Sequence, residues 1–116
     1  MSQEIKTSDY TVCSDDNSNT VHFSGELALS NPSEYDPINK LLIALADGAP
    51  DTLTLDLRHL EFVNSSGISM LSKFVLGMRK HKDTQVVVLG SNEFSWQSKS
   101  LRNLEKLLPG LKLELS

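Results

Sequence analysis

Two short β-type runs, Thr52 to Leu57 and Gln85 to Leu89, are each followed by a segment with helical periodicity. Parallel strands need a crossover between them, and a helix of this length provides one, so the pattern points to an α/β layer. Thr52 to Leu57 alternates as Thr-Leu-Thr-Leu-Asp-Leu. Gln85 to Leu89 holds the continuous run Val-Val-Val-Leu, suited to a buried central strand. Phe62 and Val63 follow the first run after a short connection in which His59 reads as an exposed imidazole. Ser65 or Ser66 then caps a helix reaching about Lys82, with an apolar stripe of Ile68, Leu71, Phe74, Val75 and Met78.

The same grammar extends to both ends. Leu101, Leu104, Leu107 and Leu108 mark a helix from about Ser95 to Leu108, stopped by Pro109-Gly110, and Leu111, Leu113 and Leu115 alternate as a closing strand. Ile38, Leu41, Leu42, Leu45 and Ala46 mark an earlier helix ended by Gly48 and Pro50. Ahead of it, Ser30 to Pro37 reads as a loop, and Thr20 to Leu29 as a strand broken at Gly25 and paired to a first strand within Glu4 to Cys13. A polar turn, Ser14 to Asn19, joins the two. The predicted order is β-β-α-β-α-β-α-β: a mixed sheet with helices packed against it, in one domain over residues 1–116.

Composition excludes several classes. The longest nearly apolar run, Leu41 to Ala46, is far short of a membrane span, and the first 20 residues lack the apolar stretch of a signal peptide. The one cysteine, Cys13, closes no intrachain disulfide. A bacterial-type cytoplasmic protein is expected. Residues 1–57 hold ten acids and two bases, residues 58–116 nine bases and five acids. The bases space as solvated helix faces without interleaved aromatics, so nucleic acid is not the expected partner.

Chemistry is sparse. There is no phosphate loop, dinucleotide fingerprint, C-x-x-C or H-E-x-x-H, and His22, His59 and His81 have no paired-ligand spacing, so neither cofactor nor metal is expected. Asp56, His59 and Ser66 invite a hydrolase triad, but the Asn-Ser-Ser-Gly-Ile context is not a nucleophile elbow. Asn64-Ser65-Ser66 fits the glycosylation pattern, which matters only in a secreted chain. What remains is a strand running through a polar turn into a helix whose N-terminus carries two hydroxyls and a glycine. Unpaired N–H groups and the positive dipole end favour an anion there. Below the serines, Ser69, Lys73, Leu76, Gly77 and Lys80 lie opposite the apolar stripe, and the stray leucine and glycine suit a face that meets another protein.

The run Asp56-Leu57 … Phe62-Val63-Asn64-Ser65-Ser66-Gly67-Ile68 resembles the signature of the STAS domain, the anti-sigma-factor antagonist family. Ser24-Gly25-Glu26-Leu27 resembles that family's early G-E-L-D segment, and Ser91-Asn92, Leu101-Arg102 and Leu107 to Leu111 its last helix and strand. The resemblance implies a non-enzymatic partner-switching adaptor. It would bind a serine kinase/anti-sigma-type protein, be phosphorylated on Ser66 (Ser65 as second choice) and be restored by a PP2C-type phosphatase. ATP would serve only as the kinase's co-substrate. The expected docking surface comprises Gly25, Asn64, Ser65, Gly67, Ser69, Lys73 and Leu76. Asn64 and Ala28 stand where the family carries aspartates, which removes two negative charges near the switch. The alternative is a constitutive STAS domain that senses a nucleotide or other small anionic ligand.

Overall fold

The computed structural model describes residues 3–15 and 17–116; Asp16, in the predicted Ser14–Asn19 turn, lies outside them. Six strands form one sheet in the spatial order of the chain: β1 (Glu4–Lys6), β2 (Tyr10–Asp15), β3 (Thr20–Leu27), β4 (Thr52–Val63), β5 (Gln85–Gly90) and β6 (Lys112–Leu115). The first two pairings are antiparallel and the last three parallel. The three parallel steps are bridged by α1 (Asp36–Asp47), α2 (Ser65–Gly77) and α3 (Ser95–Leu107). Short 3₁₀ turns precede α1 and follow α2, at Pro32–Tyr35 and Met78–Lys80.

Each crossover steps the same way across the sheet, so right-handed connections put all three helices on one face. They pack there side by side, α1 on α2 and α2 on α3. The covered face buries Val12, Val21, Phe23, Leu53, Leu55, Val86 and Val88. Val87 and Leu89, expected in a buried central strand, are only half-buried because no described helix lies over the second face.

Three local expectations change. The predicted first strand is a hairpin, β1 to β2, so the order gains one strand. Its turn is closed by the Thr7 hydroxyl, which accepts from the Asp9 and Tyr10 amides, both at 3.1 Å. The supposed connection after Leu57 is strand: β4 runs unbroken to Val63 and carries two extra residues relative to β3. Register shifts fall between His22 and Ser24 and between Gly25 and Glu26. His59 is therefore an exposed strand residue. Finally, α2 ends at Gly77 before a 3₁₀ turn, short of the expected Lys82.

The first bulge organises the open face. Asp56, almost wholly buried, accepts two hydrogen bonds from the Arg58 side chain at 2.9 Å, one from its backbone N–H at 3.2 Å, and lies 2.9 Å from His22 Nδ1. Burial alone would raise its pKa. The Arg58 and His22 contacts outweigh that and hold it at about 2, below its ordinary 3.8. A depressed carboxylate stabilises the fold above its unfolded pKa and loses that contribution as pH falls through the folded one. Acid titration of urea stability should show a loss of about 2 kcal/mol between about pH 4 and pH 2, absent from Asp56→Asn. Equal acid profiles for the two proteins would disprove this assignment.

Candidate functional site

The site lies where β4 passes into α2. The helix is capped by Asn64, not by Ser65 or Ser66 as expected: its backbone is extended (φ −85°, ψ 178°) and its Oδ1 accepts from the Gly67 amide at 2.9 Å. An amide oxygen one residue upstream of the serines reaches the third helical N–H, so the hydroxyls are not needed for it. The same Oδ1 accepts from the Tyr35 hydroxyl at 2.9 Å, and Asn64 Nδ2 donates to the Leu29 carbonyl at 3.0 Å. Leu29 N–H in turn donates to the Tyr35 oxygen at 3.2 Å. Three groups from the β3–α1 loop, the 3₁₀ turn and the α2 cap thus close a ring of hydrogen bonds. Tyr35 is buried, which raises its hydroxyl pKa, so it remains a donor. Asn64 therefore turns inward, and its half-buried side chain is a structural fastener.

Gly67, expected on the docking surface, is also buried. A Cβ there would collide with Val63 Cγ2 and crowd the Tyr35 hydroxyl at 3.2 Å, so the glycine lets the first turn settle onto β4. Gly25 is conformational as well. Its φ of +87° is unfavourable for other residues, and a Cβ would strike the Asp9 carbonyl of the β1–β2 turn. It sits in β3 opposite Leu60, apart from the α2 flank.

The remaining expected residues come together. Ser65 is exposed and Ser66 half-buried in the first turn of α2, and neither hydroxyl hydrogen-bonds to another group among the described residues. The cap occupies only the Gly67 amide, so the first two helical N–H groups point out of the helix end. No acidic residue stands in that turn to offset the dipole. Ser69, Lys73 and Leu76 continue the exposed flank below, Leu76 being 39 % exposed. Phe62, 47 % exposed near the end of β4, alternates with the buried Val63 and so lies on the sheet face away from α2.

The hydrolase constellation is not assembled, because the Asp56 carboxylate is occupied by Arg58 and His22 and does not hold His59. No cluster of three or more metal-ligating side chains occurs among the described residues, and no described helix is long and apolar enough to cross a membrane.

Gln97 was missed. Its side chain is wholly buried: Nε2 donates to the Leu57 and Leu60 carbonyls at 2.7 and 3.0 Å, and Oε1 accepts from Ser91 N–H at 2.7 Å. Trp96 Nε1 also donates to Leu60 O, at 3.2 Å. These side chains take the place of a neighbouring strand where β4 outruns β5. The signal was present, since Gln97 is in phase with Leu101, Leu104 and Leu108.

The mixed six-stranded sheet with three helices on one face is a fold shared with solved structures that include SiaC and an anti-sigma factor antagonist. SiaC of Pseudomonas aeruginosa superposes with a TM-score of 0.78 over 100% of this chain and 98% of its own, at 10% identity. A chain in the crystal structure of the complex between diguanylate cyclase SiaD and its activator SiaC, from the same organism, gives 0.75 at 13% identity, covering 97% of each. An anti-sigma factor antagonist from Mycobacterium paratuberculosis gives 0.60 at 19% identity, covering 98% of this chain and 84% of its own. No family model and no curated protein sequence matches the chain.

Proposed function

We propose that the chain is a non-enzymatic signalling adaptor that docks a partner protein through the exposed flank of α2 and is switched by reversible phosphorylation of Ser66. The observation that carries this reading is the first turn of α2: two hydroxyls without a hydrogen-bond partner among the described residues, beside open N–H groups, in a turn with no acidic residue. A phosphate there brings roughly 1.5 to 2 negative charges into a field that accepts them. The same group changes the charge and bulk of the surface meant for a partner, so the domain tolerates the mark while the complex does not. Ser65, Ser69, Lys73 and Leu76 would form that surface; Asn64 and Gly67 serve it by shaping the backbone beneath.

The partner is a serine kinase of the anti-sigma type, with a PP2C-type phosphatase removing the mark. A signalling enzyme is a second partner class, since SiaC is named as the activator of a diguanylate cyclase. No cofactor is needed.

Intact-mass spectrometry with peptide mapping, on protein from its native host with phosphatases inhibited, tests the switch. One phosphate on the peptide containing Ser65 and Ser66, lost in Ser66→Ala, is the expected result. Bare serines under all growth conditions would overturn the switch. The open helix end would then favour the second reading, a constitutive sensor of a nucleotide or similar anion. A dose-dependent rise in melting temperature with GTP, ATP or a cyclic dinucleotide would support that reading.

A further inference from the structure

Below the serines the seam between α1 and α2 opens into a groove of about 200 Å³. Its floor is apolar, from Phe74 and Met78, and its α1 wall presents Ile43, which is 50 % exposed. The α2 wall contains Gly77. Gly77 closes α2 ahead of the 3₁₀ turn with ordinary helical dihedrals that any residue adopts, so the backbone does not require glycine there. Its φ is −63°, and a Cβ would meet no atom within 4 Å. The missing side chain leaves bare backbone facing the groove, which is useful only to something that enters from outside.

The charge around the groove indicates what that is. Lys73 and Lys80 flank Gly77 at four and three residues, and neither is ion-paired among the described residues. The one carboxylate on the lining, Asp47, lies 3.9 Å from His81 Nε2 at the far end. An apolar floor under a cationic rim fits a large apolar side chain flanked by carboxylates. The shape indicates a helix. Ser66, Lys73, Gly77 and Lys80 lie seven, four and three residues apart along one side of α2 and the 3₁₀ turn, a line along which a second helix can pack, while Met70 between them is buried.

We propose that the α1–α2 groove receives an acidic amphipathic helix of the partner protein, which lays one apolar side chain over Gly77 between Ile43 and Phe74. Ser66 stands at the head of this line, so a phosphate there would repel the incoming acidic helix. That regulation rests on the adaptor reading; the binding itself does not.

The test is an NMR titration of the full, unphosphorylated chain. The probe is a synthetic helix of about 18 residues with leucines at four-three spacing flanked by glutamates, and its lysine counterpart is the control. The acidic peptide should shift the amides around Asn39, Ile43 and Lys73 to Lys80, and the basic one should not. The Lys73→Glu/Lys80→Glu double variant should bind at least about tenfold more weakly. Gly77→Phe should abolish binding while melting no lower than the parent, because the space it fills is open. Equal response to both peptides, shifts elsewhere, or binding retained by Gly77→Phe would overturn the proposal. Self-association lost in Gly77→Phe would overturn it too, assigning the groove to a second copy. Since the chain is unmodified throughout, a Ser66 that never carries phosphate leaves this result untouched. Conversely, a failed titration beside a phosphorylated Ser66 removes the groove alone.

Discussion

Gln97→Leu should unfold with about 3–5 kcal/mol less stability than the parent, the largest loss expected from any single substitution outside the apolar core. Leucine keeps most of the volume but supplies no polar atom. The Leu57 carbonyl would be left buried without this partner, the half-buried Ser91 amide would lose its own, and the Leu60 carbonyl would keep only Trp96. Each orphaned buried group costs about 1–3 kcal/mol. Urea denaturation monitored by far-UV circular dichroism measures the loss directly. A change under about 1 kcal/mol would mean that water reaches these carbonyls and that Gln97 does not substitute for a strand.

Asn64→Asp should cost about 2–3 kcal/mol at neutral pH, and part of it should return on acidification. The variant restores the residue typical of the family the chain resembles. Here, however, Nδ2 donates to the Leu29 carbonyl, and a carboxylate oxygen in its place would face that carbonyl. Protonation of the aspartate supplies an O–H that can donate again, so the deficit should narrow as pH falls below its pKa. Asn64→Ala should lose a similar amount through the missing cap and the unpaired Tyr35 hydroxyl, but without the acid rescue. Denaturation curves of the three proteins at neutral and acid pH separate these cases. Identical pH profiles for the Asp and Ala variants would show that the ring at the cap does not depend on the amide. The asparagine is thus accounted for by a donor that aspartate lacks, in addition to any effect of the missing charge.

The alternation of strands and helices was legible because each element after Pro37 declares itself by period, as in Leu53/Leu55 against Leu101/Leu104. The hairpin at Thr7 to Asp9 was not, because its turn depends on one threonine hydroxyl and no glycine or proline marks it. The bulges of β4 were hidden for a different reason: Arg58, His59 and Glu61 look like a loop, and only pairing with β3 makes them strand. At the site, the two serines and their helical flank could be read from residue type and spacing. The division of labour could not. Asn64 and Gly67 look like surface residues of a motif until Tyr35, distant in sequence, is seen to close over them.

That closure bears on how a signal would be stored here. With the first turn of α2 pinned to a tyrosine and a loop carbonyl by a closed ring, the helix end has little freedom to shift or fray. A mark added at Ser66 would change what the domain displays and leave its shape alone. Information held as charge on a fixed backbone needs no refolding to write or erase, so the speed of response would belong to the enzymes that handle it, and its meaning to whoever reads the surface.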